Sequence, residues 1–175
     1  MVETSSSAGP VSAARSVPRL DRRRSVIAGV MIGIAVMAAV DTIVYHQVLG
    51  WHHFYDRSTP DIGLLSDGFL QAAYLTLLVG GFFLFADIRR NRALATRSWW
   101  GGLLLGLGVF QLFDGLIDHK VLRLHQVRYG VDNLLAYDVA WNVAGAVLVV
   151  VGAVVLWRTR GEGASQLAGG HSTVR

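Results

Sequence analysis

The 175-residue sequence has no cysteine, which removes disulfides, thiolate metal sites and cysteine nucleophiles together. Glutamate is nearly as scarce: ten of the twelve acidic residues are aspartate, a side chain short enough for tightly placed ligands. A third absence sets the fold class. The apolar runs at 26–49, 69–86, 99–117 and 139–157 include stretches such as YLTLLVGGFFLF and VLVVVGAVVLW, with no polar face recurring every three or four residues. A soluble four-helix bundle needs such a face and is excluded. Hydrophobic residues make up 53% of the chain and its mean hydropathy is +0.44. About 20 apolar residues cross a ~30 Å hydrocarbon core, so these runs predict an all-α bundle of four transmembrane helices.

The net charge of +4 raises the possibility of nucleic acid as a partner, but its distribution argues for a bilayer instead. Arg22, Arg23 and Arg24 precede the first run, Arg89, Arg90, Arg92 and Arg97 separate the second from the third, and Arg158 and Arg160 follow the fourth. Basic loops face the cytoplasm. Both termini are therefore expected inside a bacterial plasma (inner) membrane, in a multi-pass arrangement, with two histidine-bearing connections outside. Residues 1–21 and 159–175 read as flexible cytoplasmic tails, and His171 in the second is incidental. The basic start and first apolar run could be a cleaved signal; the run is too long for one and aligns with an internal segment, so it is expected to stay as the first helix.

That internal segment defines the organisation. DTIVYHQVLGWH (41–52) and DGLIDHKVLRLH (114–125) share the pattern D-x-x-x-x-H-x-V-L-x-x-H at an offset of 73, which also pairs Gly29 with Gly102 and Gly33 with Gly106. Downstream, an offset of 71 pairs Asp67 with Asp138 and Gln71 with Asn142. The chain thus reads as two parallel helical-hairpin repeats, 22–90 and 91–158. Small residues four apart let helices approach closely in lipid, and their register predicts that helices one and three cross at these glycines.

Ionisable residues within spans are costly and tend to be paired and functional. At about 1.5 Å per residue, His46 lies at the depth of Asp67, and Asp41 at the depth of Gln71. The repeat adds His119 with Asp138, and Asp114 with Asn142. The upper layer, His46, His119, Asp67 and Asp138, is the expected metal-ligand set. Asp41, Asp114, Gln71 and Asn142 lie beneath it, and His52, His53 and His125 at the mouth. At about 100° per residue, Asp41 and His46 point about 140° apart, which separates them in a straight helix. Asp118 has no counterpart, Tyr45 standing in its place.

Imidazole and carboxylate without sulfur suit zinc, iron, manganese or copper(II). His46 and His119 could instead be axial ligands of a haem. Paired intramembrane aspartates also fit a small transporter or proton-conducting unit, which with four helices would need a homo-oligomer or another membrane protein. The plainest alternative is a structural partner whose histidines are hydrogen-bonded interfacial residues. Catalysis would need an open coordination position and a general base, and only Asp118 is free for that role.

The motifs DxIVxHQxLxWHH (41–53), DGxxDHKVLxxHQVRYGVDN (114–133) and YDxxWN (137–142) resemble a family of bacterial four-span membrane proteins known as a domain of unknown function. The resemblance covers about residues 24–157 and implies the four-span fold. It also implies a place beside the assembly of respiratory oxidases.

Overall fold

A computed structural model describes residues 19–161, so most of both expected tails, with His171, lies outside the described residues. Helix α1 (Arg22–Val40) runs directly into a π-helix, π1 (Asp41–Val48). Helix α2 (Pro60–Arg90) returns, with Pro60 in its first turn, where a missing N–H costs nothing. The second half repeats this succession with α3 (Thr96–Phe113), π2 (Asp114–Val121) and α4 (Leu134–Arg158). Among the described residues there is no strand. The four apolar segments, counting each π-helix with the α-helix before it, are 25 to 31 residues long. Each therefore exceeds the about 20 residues a span requires.

The side chains are distributed inside out relative to a soluble protein. Phe83, Phe69 and Leu135 are exposed, whereas buried positions hold Ala28, Ala35, Ala38 and a set of polar residues. Lipid is the solvent such a surface needs, since apolar side chains lose nothing there.

Helices α1 and α3 form the centre, with α2 against α1 and α4 against α3. The α1–α3 crossing lies at the expected glycines. A Cβ on Gly29 would meet the Trp99 carbonyl oxygen at 2.3 Å, and one on Gly106 the Val30 carbonyl oxygen at 2.4 Å. Only hydrogen fits where the two backbones touch.

One end of the bundle is basic and tied together by polar contacts. Arg22 donates to the carbonyls of Leu156 (2.8 Å) and Thr159 (3.1 Å), which the end of α4 would leave unpaired. Arg24 pairs with Asp87 at 2.8 Å, and Asp21 caps α1 by accepting from the Arg24 N–H. Asp21 and the buried Thr159 therefore belong to the bundle, although both fall within the tails expected from sequence. All the histidines among the described residues are in the opposite half.

Candidate metal centre

The two π-helices build the site. Their hydrogen bonds span five residues, as from the Leu49 N–H to the Val44 carbonyl (2.9 Å) and from the Leu122 N–H to the Ile117 carbonyl (2.7 Å). A turn closed at i→i+5 stacks residues five apart on one face. Asp41 and His46 are five apart, as are Asp114 and His119. Instead of diverging, they meet: His46 Nε2 lies 3.2 Å from Asp41 Oδ2, and His119 Nε2 lies 3.1 Å from Asp114 Oδ2. The aspartates expected in a lower layer are thus alongside the histidines. The five-residue spacing, present in both halves, is the signal that could have revealed this.

Each π-helix ends in a left-handed turn, with Gly50 at φ 57° and Arg123 at φ 53°. The turns are closed by the Trp51 N–H on the Tyr45 carbonyl and the Leu124 N–H on the Asp118 carbonyl, both at 2.9 Å. They fold the chain back, so His52 and His125 enter the cluster rather than standing at its mouth. Both are buried, His125 almost completely.

The result is a run of four imidazoles. His46–His52, His52–His125 and His125–His119 each have ring centroids 4.5 Å apart. Three of the four are oriented by their Nδ1–H groups. His46 donates to Asp67 Oδ1 (2.7 Å), His52 to the Val127 carbonyl (2.9 Å), and His125 to the Phe54 carbonyl (2.8 Å). Carbonyls only accept, so the tautomer is set and each Nε2 is turned inward. His46 Nε2 and His52 Nε2 are buried without a hydrogen bond. His125 Nε2 faces His119 Nε2 at 2.9 Å and Asp114 Oδ1 at 3.3 Å.

Both oxygens of Asp67 are engaged by hydrogen bonds. Oδ1 accepts from His46 and from the Phe54 N–H, and Oδ2 accepts from His53 Nδ1 at 2.7 Å. It orients His46 and is not placed as a ligand, and His53 stays at the half-buried rim. Asp138 is drawn to Lys120, which has no counterpart in the first half, where Gln47 stands. This leaves Asp138 Oδ1 and His119 Nδ1 buried without hydrogen bonds. Asn142 donates to the Asp138 backbone carbonyl, not to Asp114. Gln71 is half-buried on α2, outside the hydrogen bonds of the cluster. Asp118 is buried close enough to Asp114 for their charges to interact, while Tyr45 packs on Trp51 and Trp141.

The electrostatics favour a cation. Asp41, Asp67, Asp114, Asp118 and Asp138 are all buried at this end. Among the described residues, Lys120 on Asp138 is the one lysine or arginine paired with any of them. Burial opposes a proton on His125, but the hydrogen bond and charge of Asp114 outweigh it and hold its pKa above the ordinary histidine value. A field that holds a proton on that nitrogen also attracts a metal ion. His52 is pushed down to about 2 by burial and then by the neighbouring His125 and His46 charges, so its Nε2 is a free lone pair at neutral pH.

Four apolar spanning helices, closing at one end on a buried imidazole–carboxylate cluster, define a multi-pass integral membrane protein. The chain belongs to the family described as "Predicted membrane protein (DUF2243)", whose model matches residues 28–159. No curated protein and no solved structure matches it.

Proposed function

We propose that this protein binds transition-metal ions through His46, His52, His119 and His125 with Asp41 and Asp114, at the extracytoplasmic side of a bacterial plasma membrane. The observation that carries the reading is the common orientation of His46, His52 and His125. Each Nδ1 is tied to an acceptor and each Nε2 is turned into the cluster, the arrangement by which metal-ligating histidines are held. The spacings agree. Metal–nitrogen and metal–oxygen bonds of about 2.0–2.2 Å put neighbouring donors roughly 2.9–3.5 Å apart, and the His119–His125, His46–Asp41, His119–Asp114 and His125–Asp114 contacts run from 2.9 to 3.3 Å. His46–Asp41 is also within that range without being aligned as a hydrogen bond.

The donor set suits zinc, iron, manganese or copper(II), and disfavours a dedicated copper(I) site. A haem between His46 and His119 fits less well. They are the two ends of the ring run, and His52 and His125 occupy the intervening positions at 4.5 Å intervals. The role the family resemblance implies, beside respiratory oxidase assembly, is one in which a held metal is useful.

Elemental analysis and an absorption spectrum of detergent-purified protein test the reading. Stoichiometric metal without a Soret band is expected. Metal-free protein that stays metal-free after reconstitution would overturn it and leave Asp41 and Asp114 as candidates for a proton path.

The orientation is tested separately, and the cysteine-free sequence makes this simple. A single Ser58→Cys in the exposed first connection is expected to react with an impermeant thiol reagent from outside intact cells, and Asn91→Cys only after lysis. The reverse pattern would invert the topology.

A further inference from the structure

We infer that the cluster holds two metal ions, one bound by Asp41, His46 and His52 and the other by Asp114, His119 and His125. This rests on the metal-binding reading above and goes further, because ring directions decide the number of ions.

An imidazole lone pair lies in the plane of its ring. An ion about 2.0–2.1 Å from two imidazole nitrogens must therefore lie in both ring planes. His52 and His125 are stacked, with 7° between their planes and centroids 4.5 Å apart. Stacked planes only 7° apart converge so slowly that they meet far beyond a metal–nitrogen bond length from either ring, so these two histidines do not ligate the same ion. Within each half the geometry is the opposite. His46 and His52 are inclined at 63°, His119 and His125 at 78°, and planes so inclined intersect along a line where one ion can sit. Distance alone would also group His52 with His119 and His125. The parallel stack is what assigns His52 to the first half.

Each ion then has two imidazoles and one carboxylate. In the first triad the candidate ligand atoms lie within 4.8 Å of one another. In the second the two Nε2 atoms lie 2.9 Å apart, and the Asp114 carboxylate reaches them through different oxygens, Oδ2 3.1 Å from His119 and Oδ1 3.3 Å from His125. Two histidines and one carboxylate on one side of an ion leave coordination positions open, the pattern of non-haem iron(II) sites. The chemical class that fits those positions is a small oxygen donor, water or hydroxide, able to contact both ions. The halves are not equally supported: His46 is backed by Asp67, whereas Lys120 holds the corresponding Asp138. Loss of such a supporting partner typically lowers metal affinity about 10–100-fold, so the first-half ion is expected to bind first.

The test is titration of metal-free, detergent-purified full-length protein with Mn(II), followed by elemental analysis and electron paramagnetic resonance. Two ions per chain are expected, the second weaker, with an isolated six-line Mn(II) signal at one equivalent giving way to a spin-coupled spectrum at two. His125→Ala is expected to retain the tighter ion and His52→Ala the weaker one, each with an uncoupled signal. Wild-type protein saturating at one ion with an uncoupled signal would overturn the two-ion inference and leave metal binding standing. No Mn(II), Fe(II) or Zn(II) retained would overturn both. The wild-type stoichiometry decides the matter even where a variant fails to fold.

Discussion

Replacing His46 and His119 together with alanine lowers the bound transition metal from stoichiometric to background, while the protein still inserts and purifies from the membrane. Each substitution removes an Nε2 donor that sits 3.1–3.2 Å from a buried aspartate, one in each half, so neither triad survives intact. A thermal readout accompanies the loss. A ligand at 1,000 times its Kd stabilises the folded state by about 4 kcal/mol, so wild-type protein should melt at a higher temperature with metal and the variant at one temperature regardless. Asp67→Asn is the graded counterpart. It leaves every proposed ligand in place but weakens the acceptor for His46 Nδ1, and an affinity loss of about 10–100-fold is expected. A double-histidine variant that keeps its full metal content would sink the proposed site.

The second large effect is on the fold. A methyl group at Gly33 would lie 2.2 Å from the Leu103 carbonyl oxygen, and one at Gly106 2.4 Å from the Val30 carbonyl oxygen. Backbone cannot rotate aside as a side chain can, so the helices must separate along their whole contact. Gly33→Ala and Gly106→Ala should each cost at least the about 1–3 kcal/mol of ordinary overpacking, and the double variant should not yield monodisperse protein. Gly68→Ala is the internal control, because a Cβ there meets nothing within 4 Å. It should be neutral, or stabilising by up to about 1 kcal/mol from helix propensity. Thermal unfolding in detergent checks the set: Gly33→Ala as stable as Gly68→Ala would remove the glycine crossing as a determinant of the bundle.

Much of this architecture was legible residue by residue. The absence of polar faces in the apolar runs foretold four spanning helices, and the registered Gly29–Gly33 and Gly102–Gly106 pairs located the α1–α3 crossing. Counting rise along antiparallel helices matched His46 to Asp67, which do meet at 2.7 Å. The repeat extends that pairing to His119 and Asp138, but there Lys120 takes the carboxylate instead. The first half has Gln47 where Lys120 stands, so the repeat carries no sign of that competing partner. Rise alone puts Asp41 and Asp114 a layer below the histidines, and a constant turn of about 100° per residue points Asp41 away from His46; the wider π turn instead brings each aspartate alongside the histidine five residues on. Rise alone leaves His52 and His125 at the mouth, because nothing in the sequence announces that Arg123, like Gly50, adopts a left-handed turn that folds the chain inward.

By itself the sequence determined what depends on one-dimensional quantities. The length of an apolar run decides whether it crosses a bilayer, the placement of arginines argues which ends gather together, and spacing sets how far along an axis two residues lie. These follow from a fixed rise per residue and a fixed transfer cost. The tertiary structure alone decided which side chains converge. Convergence depends on the angle each residue takes about its helix, on where a backbone switches from four-residue to five-residue hydrogen bonds, and on which donor reaches a shared carboxylate first. Those choices differ little in local energy, and are settled only when the two halves pack against each other.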